Sequence, residues 1–505
     1  MNGALASPGQ YVLALLPEVV LSVWAMLVLL VDVFQKGDKP GPSRSSIPQL
    51  TGVGVLLAAA ANGWLATLPA GEVGGAIAID GFRIFTNFVF LLAVLFFLLI
   101  SDRYLEREHM RLGELYVLVL FATVGMMVFA GTTDLMLVFI GLELMSVPVY
   151  VLTGANRRDV RSAEGALKYF LLGAFSSAFF LFGVALVFGA TGTTNLGEIA
   201  LAVGVDGIGA GRMLLIGVAM LAVGFGFKVA AVPFHMWTPD AYEGAPAPVT
   251  GFMAAAVKAA AFAAFLRVFL TAFPGLYDQW DAMAVWLAIA TMVTANLIAL
   301  VEGNVKRMLA YSSIAHAGYL LVTLAAASAL GAAAFLFYAL VYTVMTMGAF
   351  AVVIAVGGPG ESRLDLDAYS GLGWRRPLLG IVMTIFLLSL AGFPFTAGFI
   401  GKFFLLRAAV ERGLVLLAVV LVMASLASYW YYLRVAWYMW FREAPEPAPD
   451  QATPEVSNGL RFALALAAAT ILVLGVFPGG LLTIVERSAA TLLRLPGTAV
   501  GLILP

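Results

Sequence analysis

Seven lysines occur in this chain of 505 residues, and four of them, Lys168, Lys228, Lys258 and Lys402, stand inside long apolar runs. An amine at membrane depth costs at least about 2.5 kcal/mol on insertion scales. Four such residues point to use. Lysine rather than arginine is informative, because burial lowers a lysine's pKa readily while arginine stays charged. A group that must gain and lose a proton is better built as lysine. Glu143, in "LVFIGLELMSVPVYVLTG", is the mid-span glutamate of the first half and needs a cation or a proton. Two of the three histidines, His235 and His316, complete a set of groups able to pass protons.

Each has a plainer reading. Lys228, in "GFGFKVAAVPFHMW", is compatible with a snorkelling lysine beside a capping histidine, yet it lies about a dozen residues from either end of its span. Pro233 just beyond it frees backbone carbonyls, which at membrane depth need water or polar partners. His235 falls seven residues on, on the same face if the helix persisted. Glu143, with Ser146 and Tyr150 on its face, also fits a protonated or structural carboxyl. Lys168 follows Glu164 at i+4, an ordinary helix-surface pair near the start of its span. Lys258 is surrounded by alanines in "FMAAAVKAAAFAAF", and Lys402 follows a broken stretch in "AGFIGKFFLL". His316 shares a stripe with Ser312 and Tyr319, which would also satisfy a merely buried imidazole. Asp134 reads as a helix-start charge and His109 as a solvated loop residue.

The elements that must position these groups are membrane spans. The chain is 62% hydrophobic and 11% charged, where a soluble protein carries about 25% charge. A spanning helix needs about 20 apolar residues. The sequence predicts an all-α polytopic membrane protein with about fourteen transmembrane helices, near 11–34, 49–68, 82–101, 114–130, 132–152, 162–190, 212–235, 247–272, 281–301, 306–325, 330–357, 377–410, 414–440 and 460–484. The first run has no basic residue before it, so it reads as a retained span. Spans 7 and 12 are interrupted, at Pro233 and Pro239 and at "AGFPFTAGF". Two broken spans, five apart in order, suggest two inverted five-helix repeats, spans 4–8 and 9–13. The implied divisions are 1–113, 114–272, 273–441, a linker 442–459, and 460–505.

Basic residues follow the odd-numbered spans: Lys36, Lys39 and Arg44; Arg103, Arg107 and Arg111; Arg157, Arg158 and Arg161; Lys306 and Arg307; Arg363, Arg375 and Arg376; Arg442 and Arg461. Loops after even-numbered spans carry only Arg83, Arg212 and Arg412, scattered singly. The positive-inside rule therefore places both termini away from the cytoplasm. A glycine-rich loop, 189–211, is expected outside, and the proline-rich acidic linker inside. The absence of cysteine excludes disulfides and cysteine-ligated clusters in this chain. The net charge of −1 argues against nucleic acid. "GIGAGR" (207–212) has spaced glycines but no preceding strand, so it is no dinucleotide fingerprint.

With these residues in place, the chain resembles the antiporter-like membrane subunits of proton-pumping NADH:quinone oxidoreductase, respiratory complex I. The carrying motifs are Glu143 in span 5, "FKVAAVPFHMWTPDAYEGAP" (227–246), Lys258, "VKRMLAYSSIAHAGY" (305–319) and the broken span 12. No long lateral helix like that of the L-type subunit is expected after the core, and Lys402 stands where the M-type has glutamate. "LLPEVVLSVWAMLVLLVDVF" and "AGFPFTAGFIGKFFLL" look like the N-type. Multisubunit sodium/proton antiporters and membrane-bound hydrogenase complexes share the central motifs and are the alternative. The resemblance implies that Glu143 and Lys228 form a coupled pair bridged or modulated by Lys168. Lys258, His235 and His316 would carry the proton across the centre, and Lys402 would face the exit. It also implies no cofactor in this chain, with FMN and iron–sulfur clusters in partner subunits of an NADH-oxidising arm. NADH and quinone would be used by the complex and not bound here. The implied location is the bacterial inner membrane.

Overall fold

The computed structural model describes residues 7–35, 46–110, 113–204, 211–443 and 456–493. Lys36, Lys39, Arg44, Arg111, the middle of the acidic linker and most of "GIGAGR" lie outside these residues. Among the described residues, eleven helices are long and apolar enough to cross a membrane. Three further crossings bring the number to fourteen: Ile47–Leu65, whose Gln49 and Asn62 make it more polar, and the two broken spans. The breaks fall between Arg212–Lys228 and Trp237–Gly244, and between Pro377–Ala391 and Ala397–Glu411.

Several expected boundaries change. Span 7 ends at Lys228 and not at Pro233, so His235 lies in the non-helical break and shares no helix face with Lys228. Span 14 stops at Val476, where Pro478 ends it, and a separate helix, Gly479–Leu492, follows. The 189–211 loop contains a helix, Leu196–Gly204. A short antiparallel hairpin, Gly71–Val73 with Ile77–Ile79, joins spans 2 and 3, so the chain is not wholly helical.

The core is the middle of the helix order. The apolar windows of Ala247–Ala272 and Val305–Ala326 are wholly buried, while those of Leu16–Phe34 and Asn458–Val476 are about a third buried or less. The former carry Lys258 and His316; the latter present apolar side chains outward, as lipid-facing helices do. Each half packs its first two spans closely, Gly113–Gly131 on Leu135–Thr153 and Tyr277–Ala299 on Val305–Ala326. A Cβ on Gly141 would lie 2.5 Å from the Phe129 nitrogen, and one on Gly318 2.7 Å from the Met292 nitrogen. Glycine there lets the backbones touch.

The loops sort by parity. At one end, Lys306 donates to the Glu243 carbonyl, Arg107 to the Ile354 carbonyl, and Gly371 to the Tyr438 carbonyl, joining loops after spans 3, 7, 9, 11 and 13. At the other, Thr132 donates to the Ala76 carbonyl, Asn195 to the Gly75 carbonyl, and Tyr277 to the Ala325 carbonyl, joining loops after spans 2, 4, 6, 8 and 10. This separation is what fourteen crossings require.

Candidate functional site

Lys228 is the last residue of its helix, where the unsatisfied carbonyls of the final turn favour a cation. It is buried, and its Nζ lies 3.5 Å from the Tyr169 hydroxyl and 5.2 and 5.3 Å from the ring centroids of Tyr150 and Tyr169. The break that follows has its own partners. Trp237 Nε1 donates to the Phe227 carbonyl over 3.1 Å, and the Val232 amide donates to Thr291 Oγ1 over 2.9 Å. Ala230 takes a left-handed φ of 61°, unusual for a residue with a Cβ. His235 is half-buried, with an Nδ1 that has no hydrogen-bond partner.

Glu143 is half-buried beside the outward-facing Ile140 and Val147. Its carboxylate accepts from Ser177 Oγ of span 6. Among the described residues no ion pair joins it to Lys228. Lys168 does not bridge them either. Its ammonium pairs with Glu164, at 2.6 Å, and with Asp240, at 2.7 Å, and its side chain is 44% exposed. The reason is length. Val160–Thr191 has 32 residues, about 48 Å at the helical rise, so a residue two turns in still lies near the interface. Its first residue follows Asp159, which caps the helix by accepting from the Arg161 amide over 2.9 Å. Burial pushes the Asp159 carboxyl up, but its hydrogen bonds with Arg161 outweigh that and hold it below the ordinary range.

Lys258, at the end of the first half, and residues of the second half form a buried set. Lys258 follows a π-turn, Met253–Val257, which widens the helix immediately before it. Its Nζ donates to the Ser313 carbonyl and Oγ, both at 2.5 Å. Ser313, His316 and Tyr319 are spaced by three on span 10 and so share a face. His316 is fully buried, with Nδ1 2.6 Å from the Tyr338 hydroxyl and Nε2 3.1 Å from that of Tyr432. Ser312 bonds Tyr432 and not His316 directly. Lys402 lies 4.6 Å over the Tyr319 ring, and its Nζ donates 2.8 Å to the Ala391 carbonyl, which the second break leaves without a helical partner. The stripe on span 10 therefore has Lys258 at one end and Lys402 at the other.

Further buried charges escaped the sequence reading. Lys306, expected beside a loop, is fully buried and pairs with Glu361 at 2.6 Å. Arg83, expected in a loop, is buried and pairs with Glu18 at 2.6 Å. Arg267 forks onto Asp80 at 2.7 and 3.0 Å, with both side chains fully buried. Asp134 caps span 5 as expected, accepting from the Met136 amide over 2.8 Å. Among the described residues no three His, Cys, Asp or Glu side chains cluster as a metal site would.

A fold of fourteen spans with two interrupted helices and buried lysines defines the antiporter-like class of membrane subunit. The family described as "NADH:quinone oxidoreductase/Mrp antiporter, TM" matches residues 132–428, which contain all seven candidate residues. NADH-quinone oxidoreductase subunit N of Trichlorobacter lovleyi is 48% identical over 476 residues, covering 94% of this chain and 96% of that protein. Subunit N of Gemmatimonas aurantiaca is 45% identical over 96% of this chain and 95% of its own length. The chain belongs to the family of NADH-quinone oxidoreductase subunit N. A chain of respiratory complex I from Thermus thermophilus is 36% identical, covers 94% of this chain and 100% of itself, and superposes with a TM-score of 0.78. A chain of an archaeal membrane-bound sulfane sulfur reductase is 26% identical, with coverage of 97% and 99% and a TM-score of 0.84. A chain of the Mrp complex from a Dietzia species, at 23% identity, 99% and 100% coverage and a TM-score of 0.81, shares the fold.

Proposed function

We propose that this chain is a proton-translocating membrane subunit of an NADH:quinone oxidoreductase, driven by electron transfer from NADH to quinone that takes place in other subunits. The observation that carries this reading is the Lys258–Ser313–His316–Tyr319–Lys402 series, buried where no solvated protein surface needs charge. Membership of the subunit N family, at up to 48% identity across nearly the whole length, supports it over a sodium/proton antiporter of the same shape.

The contacts support a role for each residue. Lys258 and Lys402 are ends of one relay, and His316 with its two tyrosines is the middle. Lys228, at a helix end among aromatic rings, is a separate group whose proton affinity responds to charge nearby. Glu143 acts on it through space or after rearrangement. Lys168 stabilises the interface end through Asp240. His235 lies half-buried in the break between the two helices of span 7. Moving one charge against 100 mV takes about 2.3 kcal/mol, and one pKa unit is about 1.36 kcal/mol. A coupling change of a few pKa units is therefore enough. The redox groups, FMN and iron–sulfur clusters, belong in this reading to partner subunits, and the basic-loop end faces the cytoplasm of a bacterial inner membrane.

The test is Lys258→Met in the intact complex, reconstituted in vesicles. Proton flux per NADH oxidised should fall severalfold while the subunit is incorporated normally. Full pumping with Met at this position means that the relay does not carry the proton. Sodium-dependent flux without NADH would favour the antiporter reading.

A further inference from the structure

A cavity of 1240 Å³ opens at the basic-loop end between spans 3, 11, 12 and 14, away from the lysine series. Its lining includes Arg103, Arg107, Arg376 and Arg461, against one carboxylate, Glu106. Glu106 is engaged by Arg103 at 3.2 Å. Arg107 spends Nε on Glu108 and Nη1 on the Ile354 carbonyl, at 2.8 and 3.0 Å, but its buried Nη2 has no hydrogen-bond partner. Two helices begin at the cavity, Pro377–Ala391 and Asn458–Val476, so the positive ends of both dipoles are at its wall. Arginine forks and helix starts both select an anion with several oxygens, as a phosphate has.

The lower wall is apolar. Leu378, on the first turn of span 12, is 60% exposed, and the buried Ile100 and Leu464 also line the cavity. The volume far exceeds that of one phosphate. A basic pocket between helix ends, with apolar side chains in its wall and Leu378 exposed beside it, matches a lipid that has a charged head and acyl tails. We propose that this cavity binds an anionic glycerophospholipid, with its phosphate among the arginines and its chains along Leu378. Such a lipid would add to the direct packing of span 14 on spans 3 and 11 at this end. The site depends on the membrane-spanning fold and not on the proton path, so the two readings fail separately.

The test is native mass spectrometry of the complex after exchange into phosphatidylcholine nanodiscs that contain a minor share of phosphatidylglycerol. The wild type should retain phosphatidylglycerol in preference to phosphatidylcholine. Arg461→Gln, at an exposed position, should weaken that retention roughly tenfold, the usual worth of one charged hydrogen-bonding contact, and Arg461→Lys should restore part of it. Excess inorganic phosphate should not displace the lipid. Equal retention by the wild type and Arg461→Gln overturns the proposal, as does equal retention of phosphatidylcholine. Displacement by phosphate would make this a soluble-anion site and overturn it too.

Discussion

Lys402 shows what a single residue must satisfy. Gly392 ends the first half of span 12 with a φ of 88°, and a Cβ there would lie 2.8 Å from Lys402 Cδ. The lysine stem thus lies against the glycine while the ammonium reaches the Ala391 carbonyl. Lys402→Met should leave that carbonyl unpartnered, costing about 1–3 kcal/mol, and should abolish most pumping. Lys402→Arg keeps the charge but does not release a proton, so it should pump nearly as poorly as methionine. Flux measured on reconstituted complexes decides, and full pumping by arginine alone would make Lys402 a fixed charge. Glu143→Gln should likewise lower coupled turnover severalfold, with assembly intact, because the amide can still meet Ser177 but cannot carry a charge. Wild-type turnover in that variant would remove Glu143 from the mechanism. These residues were legible as candidates because charges stand out in apolar runs. Their partners were not. Tyr338 and Tyr432 reach His316 from 22 and 116 residues away, and Asp240 reaches Lys168 from 72. No local spacing announces such contacts.

At the scale of elements, the buried pair Lys306–Glu361 fastens four segments. Glu361 accepts from the Tyr104 hydroxyl of span 3 at 2.5 Å, from the Ala247 amide at the start of span 8 at 2.8 Å, and from Lys306 of span 10. Lys306 also donates to the Glu243 and Ala245 carbonyls at 2.9 and 2.5 Å. Removing one partner strands the other charge, a loss of about 3–5 kcal/mol. Glu361→Ala should therefore lower the thermal midpoint of the purified complex or its subunit content. Lys306→Met with Glu361→Met should recover part of the loss, since both charges are gone. If the double variant is as unstable as the sum of the singles, the pair is not the cause. The sequence places Lys306 beside a loop, and by chain position it is. Burial comes from the 357–361 segment folding over it, which hydropathy does not encode. Hydropathy also ran span 14 on to 484, because the apolar residues after Pro478 continue the run in a new helix. The interrupted spans were readable from their prolines and glycines, since both residue types act through the backbone.

For the whole molecule, the arrangement of ends sets the direction of any proton path. Loops after odd-numbered spans meet at one end and loops after even-numbered spans at the other, through hydrogen bonds between segments far apart in sequence. Even the turn after span 7, which has no basic residue, joins the basic end through the Glu243 carbonyl. The arginine and lysine count alone could orient the chain but could not vote there. Sidedness is testable because the chain has no cysteine. Asp367, in the loop after span 11, has a side chain 75% exposed and sits at the basic end. Glu198, on the helix of the 189–211 loop, is exposed at the other. With the basic end cytoplasmic, a membrane-impermeant maleimide added to intact cells should label Glu198→Cys and spare Asp367→Cys. Inverted vesicles should reverse the pattern. Neither substitution touches a buried pair, so both chains should assemble. Labelling of Asp367→Cys from outside, at wild-type complex abundance, would turn the molecule over. The Lys258-to-Lys402 series would then have to release protons toward the opposite face.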